Sequence, residues 1–508
     1  MSTSRTGATT RHQSRLARRL VGSPLRSADD RLGFAGIGRK ALGKVFPDHW
    51  SFMLGEIALY CFMVLVGTGI FLTMFFDPSS SETTYIGSDP FLHGQEVSSA
   101  FSSTVSLSWD VQGGLLMRQV HHWAANIFIA AIVLHLCRIF FTGMFRKPRE
   151  LNWTIGLTLL VFAIFNSFAG YSLPDDLLSG TGLHIFYSVF EAVPVIGPWF
   201  TYLVFGAAFP GPHIIPRLYA LHIFVVPAIL ALLIGAHMVV LIRQKHSHFA
   251  GPGRSDANVV GSRMWPSYAL RSLSLLCAVA AVCFFMGGFA QINPIWTWGE
   301  FKSYSIISPS VADWYIAWIE GALRLMPPLE IHFWGMTVPN QFWPSVLLPG
   351  LVFGLLYAWP WIDRRLTGDR GAHHVAAAPT SSPRRFTVGV VVITFLSVLL
   401  VASGEEAIVM WTGVPIGTVR VTLRVLALAL PVVTGFIAWR VARGRLPAQG
   451  RVEEEKEEAS VRPLHEQPIW LKARAREAQL DEDGTSETID GASHDGADRV
   501  EAERVAEP

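Results

Sequence analysis

Four of the 17 histidines lie inside long apolar runs, His121 and His135 in one and His222 and His237 in another. An ionisable group is expensive to place in lipid, so each of these side chains points to function. His121 and His135 are 14 residues apart. On a helix that is roughly 21 Å of rise, with the two side chains within about 40° of each other. The neighbouring His122 is 13 residues from His135 and faces the other side. His222 and His237 are 15 apart, which leaves an offset of about 60°. Two facing helices, each with two imidazoles about four turns apart, can ligate two haems through opposed ring nitrogens.

Glycine repeats the period. Gly55 and Gly69 in one apolar run, and Gly156 and Gly170 in another, are again 14 residues apart. Glycine lets a flat macrocycle lie directly on backbone. Close helix packing by small residues is the alternative account of either pair, but a period shared by three helices favours the cofactor. Arg118 stands three residues before His121 and Arg138 three after His135. Haem propionates would neutralise both, and snorkelling to lipid headgroups is the competing explanation.

The elements that must position these groups are membrane helices. The chain has 508 residues, 51% hydrophobic and only 16% charged, against about 25% charged in an ordinary soluble domain. Mean hydropathy is +0.36. Disorder of the whole chain and a nucleic-acid partner are excluded, and the expected fold class is an all-α membrane protein. Eight runs are long enough to span a bilayer: A, Phe52–Phe76; B, Leu115–Phe141; C, Trp153–Leu173; D, Leu218–Ile242; E, Leu270–Ile292; F, Phe342–Trp361; G, Phe386–Val401; and H, Val425–Val441.

Basic residues set the orientation. Ten bases precede Phe46, the A–B loop has none, and Lys or Arg clusters follow B, D, F and H. Both termini are therefore expected in the cytoplasm of a cell-membrane protein. B and D both run inward, which pairs His121 with His222 near the outer face and His135 with His237 near the inner face.

The remaining sequence is quieter. Cys61, Cys137, Cys277 and Cys283 form no CxxC or CxxCH, so attached c-type haem and a cysteine-ligated iron–sulfur cluster are not expected. The Arg-rich start lacks the apolar core of a cleavable signal peptide. Residues 451–508 hold 17 acids and 8 bases, a composition of solvated, mostly disordered chain. The expected organisation is a basic segment 1–49, a dihaem four-helix bundle 50–248, a second membrane domain 249–445 with an outer loop 293–341, and an acidic tail 446–508.

With these residues in place, the chain resembles the cytochrome b subunit of quinol–cytochrome c reductases, the cytochrome bc complex. The resemblance rests on RQVH at Arg118–His121, HLCR at His135–Arg138, the glycine pairs, GYSLP at Gly170–Pro174 and EAVPVIG at Glu191–Gly197. The long tail and basic extension look like the actinobacterial menaquinol form. Ala312-Asp313-Trp314-Tyr315 resembles the family's PEWY motif, which implies that Asp313 accepts a quinol proton at an outer site. Tyr315, Phe186, Tyr187 and Pro194 would then line the pocket.

At the inner face Arg243, Lys245, His246, Tyr268, Arg271 and Ser272 are candidates for a second quinone site. The resembled pattern has a basic residue followed by an acid; Arg271 fits it and Ser272 does not. Ordinary positive-inside anchoring explains Arg243 and Lys245 equally well. The resemblance further implies quinol oxidation in a protonmotive Q cycle, a Rieske iron–sulfur subunit, a c-type cytochrome subunit, a dimeric complex and a terminal oxidase as a possible supercomplex partner. A dihaem anchor for a soluble dehydrogenase would need no outer acid motif, and a non-redox transporter would bind no haem.

Overall fold

A computed structural model of the chain describes residues 42–305 and 312–461, with the backbone alone from 446 onward. Most of the expected basic segment, residues 1–41, and the end of the acidic tail, 462–508, lie outside the described residues. In lipid the backbone must satisfy its own hydrogen bonds, so apolar runs of span length become helices. Eight do so: Trp50–Thr73, Gly114–Phe141, Glu150–Tyr171, Ile214–Gln244, Met264–Phe289, Trp343–Thr367, Pro383–Ser403 and Ile416–Arg445.

In chain order the helices are α1 (Leu54–Thr73), α2 (Ser99–Trp109), α3 (Gly114–Phe141), α4 (Glu150–Tyr171), α5 (Leu177–Glu191), α6 (Gly197–Phe205) and α7 (Ile214–Ala220). They continue as α8 (Val226–Gln244), α9 (Ala269–Phe289), α10 (Ile295–Trp298), α11 (Trp314–Leu325), α12 (Leu348–Thr367), α13 (Pro383–Ser403), α14 (Glu405–Thr412) and α15 (Ile416–Val461). Short two-stranded ladders tie the loops, Val45–Phe46 with Ser262–Arg263 and His248–Phe249 with Val375–Ala376 among them.

Local chemistry sets the helix ends that matter for the site. Ser98 caps α2 by accepting from the Phe101 N–H, and Asp176 caps α5 by accepting from the Leu178 N–H at 3.2 Å. Both side chains satisfy N–H groups that the helix itself cannot. Gly206 ends α6 in the left-handed conformation, at φ +78°, which costs glycine little.

The central bundle packs α1 along α3, with α9 against both, and α8 along α4. At Gly287 on α9 a methyl group would meet Val120 Cγ2 at 2.6 Å, so the approach of α9 to α3 requires glycine there. Large apolar side chains such as Leu232 and Phe289, 75% and 81% exposed, face outward, as lipid contact demands. This bundle lies within the first of two units, the described residues up to Arg443; the second begins at Gly444.

Three expectations need correction. Span H begins at Ile416, nine residues before the expected Val425, because the arginines that interrupt its apolar run are partnered. Arg420 Nε donates to Glu405 at 3.1 Å and Arg424 Nε to the Leu325 carbonyl at 2.8 Å. At its other end α15 runs to Val461, so residues 446–461 of the tail continue a helix; their Glu, Lys, Ala and Arg content favours that conformation.

The third correction concerns phase. The 15-residue spacing of His222 and His237 predicts an offset of about 60° on a regular helix. A wide i→i+5 turn at Leu221–Val225 separates α7 from α8 and absorbs the extra residue. Pro227, which has no N–H to donate, follows just after this wide turn.

Candidate functional site: paired histidines and a carboxylate on one cavity

The four histidines form two layers, and a glycine faces each one. A Cβ built on Gly69 would lie 3.3 Å from His121 Cε1, on Gly55 3.5 Å from His135 Cε1 and on Gly156 3.5 Å from His237 Cε1. On Gly170 it would collide with the His222 ring. α1 and α4 thus present bare backbone to imidazoles carried by α3 and by the α7–α8 span.

In the first layer the His121 and His222 rings stand 6.0 Å apart, centre to centre, at 71°. Two metal–nitrogen bonds of about 2 Å each, plus the ring radii, give a separation of this order. The protonation of both rings follows from their partners. Thr68 Oγ1 spends its only hydrogen on the Val64 carbonyl at 2.7 Å. The 2.9 Å contact between Thr68 Oγ1 and His121 Nδ1 therefore has Nδ1–H as donor. His222 Nδ1 lies 2.8 Å from the Asn166 carbonyl, which can only accept. Both rings hold their proton on Nδ1 and keep the Nε2 lone pair for a metal. A hydrogen bond at the distal nitrogen is how ligating histidines are oriented.

In the second layer His135 Nδ1 and His237 Nδ1 are buried with no hydrogen-bond partner of standard geometry among the described residues. Arg138 Nε and Nη2 share that condition, and its guanidinium packs 4.0 Å over the Phe52 ring. Arg118, 8% exposed, donates to the Asn293 carbonyl at 3.1 Å and leaves Nε unpartnered. Unpaired buried donors are costly. Paired imidazoles, glycine faces and unsatisfied guanidinium groups together fit flat, anionic, metal-centred macrocycles.

A cavity of about 430 Å³ opens beside the first layer, lined by Gly69, Arg118, His121, Gly170, His222 and, across from them, Asp313. That is within the size range of small-molecule sites. Asp313 precedes α11 in the loop between the fifth and sixth spans. His122 Nε2 lies 3.1 Å from its Oδ2, and the Tyr315 hydroxyl donates to the same oxygen at 2.8 Å. Burial pushes the Asp313 carboxyl up, but the His122 and Tyr315 hydrogen bonds outweigh it and hold the group below the usual carboxylate value. The site thus has an ionised carboxylate on an apolar cavity.

His122 is a site residue that the sequence reading does not single out. Its signal is nonetheless present, since it is an ionisable residue in a span that faces away from the side of His121 and His135. Conversely, Phe186, Tyr187 and Pro194 are not among the cavity lining. Phe186 and Tyr187 turn into an aromatic cluster, 4.6 Å from Phe168 and 4.9 Å from Phe205. Phe76, Tyr171 and Tyr219 take the place beside the cavity.

At the opposite end of the bundle Arg243 is exposed where α8 ends, and Lys245 Nζ donates to the Ala257 carbonyl at 3.3 Å. Arg271 pairs with Asp48 at 2.5 Å. Ser272 meets a carboxylate from another helix, Glu56, at 2.7 Å.

Comparison with known proteins agrees with this architecture. Residues 126–299 match the family model described as cytochrome b(N-terminal)/b6/petB. The cytochrome bc1 complex cytochrome b subunit of Mycobacterium leprae is 46% identical over 403 residues, 79% of this chain and 73% of that one. That of Streptomyces coelicolor is 41% identical over 418 residues, 82% and 76% of the two chains. That of Corynebacterium efficiens is 39% identical over 433 residues, 85% and 80%. A solved structure titled hyperthermophilic respiratory Complex III shares the fold at a TM-score of 0.58 and 19% identity, covering 83% of this chain and all of that one. At these identities and coverages, the chain belongs to the family of cytochrome b subunits of the cytochrome bc1 complex, membrane proteins that carry b-type haem.

Proposed function

We propose that this subunit oxidises quinol in the cavity beside Asp313 and reduces quinone at the opposite end of the bundle, as part of a protonmotive Q cycle. The observation that supports this best is the shared cavity: a histidine pair with free Nε2 atoms and an ionised carboxylate open onto one apolar space. His121 with His222, and His135 with His237, would each hold one b haem, which supplies reversible one-electron transfer at iron.

The chain's own residues position and protonate. Thr68 and the Asn166 carbonyl hold the first pair of rings in the ligating tautomer. Arg118 and Arg138 balance anionic groups that approach their guanidinium nitrogens. Asp313, fixed by His122 and Tyr315, accepts the proton that a quinol hydroxyl gives up, the role of a general base within hydrogen-bond reach. At the far end Arg243 and Arg271 supply positive charge to a second quinone site. The quinol is menaquinol, as the likeness to actinobacterial forms implies. The partners are a Rieske iron–sulfur subunit and a c-type cytochrome subunit, in a dimeric complex that can join a terminal oxidase. Both termini face the cytoplasm, in keeping with the basic loops. The dihaem bundle occupies residues 50–248 and the second membrane domain 249–445.

A haem-to-protein ratio and a redox titration on the purified complex test this reading. Two b haems with separable potentials, both reducible by quinol, are expected. One haem or none, in protein shown not to have lost cofactor, defeats the pairing.

A further inference from the structure

Glu56 is a carboxylate in a membrane span without a cation. It occupies the first turn of α1, is half-buried, and forms no ion pair among the described residues. A carboxylate so placed needs either a proton or an array of donors. Hydroxyls from two helices provide the array. Tyr268 donates to Oε1 and Ser272 donates to Oε2 at 2.7 Å. Tyr60 stands 3.4 Å from Oε2 and closer to Ser272 Oγ. Because the single hydrogen of Ser272 goes to Glu56, Tyr60 donates to Ser272. The hydrogen bonds therefore run in one direction, Tyr60 to Ser272 to Glu56, with Tyr268 as a second donor.

The cluster bridges two regions. Gly55, the residue before Glu56, is the one whose Cβ would lie 3.5 Å from His135, so the carboxylate stands on the same turn of α1 as the glycine of the second histidine layer. The Arg271–Asp48 pair lies next to Ser272, and its side chains are 56% and 40% exposed. Protons can enter from that rim, and Tyr60, Tyr268, Asp48 and Arg271 are the titratable and charged groups around Glu56.

We propose that Glu56 is the proton-relay residue for quinone reduction at this end, with Ser272, Tyr60 and Tyr268 as its hydrogen-bonded supply. This rests on the proposed quinone-reducing role of the far end. Quinone takes up two protons and two electrons, one electron from each of two quinols oxidised at the Asp313 cavity, whose other electrons leave to the iron–sulfur partner. Each proton leaves the Glu56 carboxyl as its O–H bond breaks and a quinol O–H bond forms, and the carboxylate is reprotonated from solvent through the rim.

The test uses the assembled complex with E56Q and E56D. Quinone-driven reoxidation of the second haem is expected to slow by about 10-fold or more in E56Q and to recover largely in E56D. Quinol-driven reduction of the first haem stays unchanged. A carboxyl band in the redox-difference infrared spectrum of the wild type is expected to vanish in E56Q, a change that a purely structural role would not produce. Wild-type reoxidation in E56Q with the band intact overturns the proposal. If E56Q does not assemble, S272A keeps the carboxylate and removes one donor; about 3-fold slower reoxidation is expected, and an unchanged rate is again fatal. A wild-type complex whose second haem is not reoxidised by added quinone refutes the quinone-reducing reading itself, and the proposal falls with it.

Discussion

His122 Nε2 stands 3.1 Å from Asp313 Oδ2 although 191 residues separate them in sequence. The contact joins the helix that carries His121 and His135 to the loop that carries the acid. It puts a donor on the carboxylate from one side while Tyr315 donates from the other.

This pairing makes a prediction about pH. Asp313 is held below its ordinary value, so it is ionised and proton-accepting above that point and loses this capacity as pH falls through it. Replacing His122 with Ala removes the largest charge-stabilising contact and leaves burial to push the carboxyl up. The acid limb of quinol oxidation is then expected to move to higher pH, with a rate loss of about 10-fold near neutrality. Asp313→Asn should slow the step by about 100-fold at all pH values while both haems stay bound. Stopped-flow haem reduction across pH checks both; an unshifted acid limb in His122→Ala would show that the contact does not tune the acid.

Glycine placement predicts which positions tolerate a methyl group. At Gly170 a Cβ collides with the His222 ring, whereas at Gly67 nothing lies within 4 Å. Gly170→Ala is expected to lose the haem of the first pair and keep the second, one haem per chain by absorbance of the extracted cofactor. Gly67→Ala should retain two. Two haems in Gly170→Ala would mean that α4 yields more easily than its packing suggests.

Thr68 accepts from His121 Nδ1 at 2.9 Å. Thr68→Val keeps the shape and removes the hydroxyl acceptor, leaving only the Leu65 carbonyl beside the His121 ring. Loss of such a distal partner typically costs 10–100-fold in metal affinity or activity. A higher midpoint potential or weaker retention of the first haem is expected, because the distal acceptor raises the basicity of the ring, with Thr68→Ser close to wild type. Identical titration curves for Thr68→Val and wild type would exclude a tuning role.

Glu405, fully buried at the start of α14, lies against Arg324 at 3.7 Å and accepts from Arg420. Removing one member of a buried ion pair leaves uncompensated charge. Glu405→Ala is expected to destabilise the C-terminal spans by about 3 kcal/mol, read as a lower melting temperature in detergent. A variant with wild-type melting would show that the remaining acids take over both arginines.

Much of this protein is legible in the chain itself. Lipid leaves an apolar run of about 20 residues little alternative to a helix, so all eight spans can be read directly. The 14-residue periods of His121/His135, Gly55/Gly69 and Gly156/Gly170 need only helix geometry to reveal two layers. What linear spacing does not show is any contact that depends on how helices meet. The wide turn at Leu221–Val225 that brings His222 into phase is a local backbone event that periodicity averages away. Arg420 and Arg424 look like the edge of span H because their partners, Glu405 and the Leu325 carbonyl, lie on other elements. His122 faces away from the side of His121 and His135, and only the return of the Asp313 loop gives that direction a meaning. Ser272 looks like a missing acid in one helix, yet Glu56 enters from another. Periodicity is carried by the backbone and can be counted, whereas a polar pair inside a membrane is made by two distant segments and exists only once they have packed.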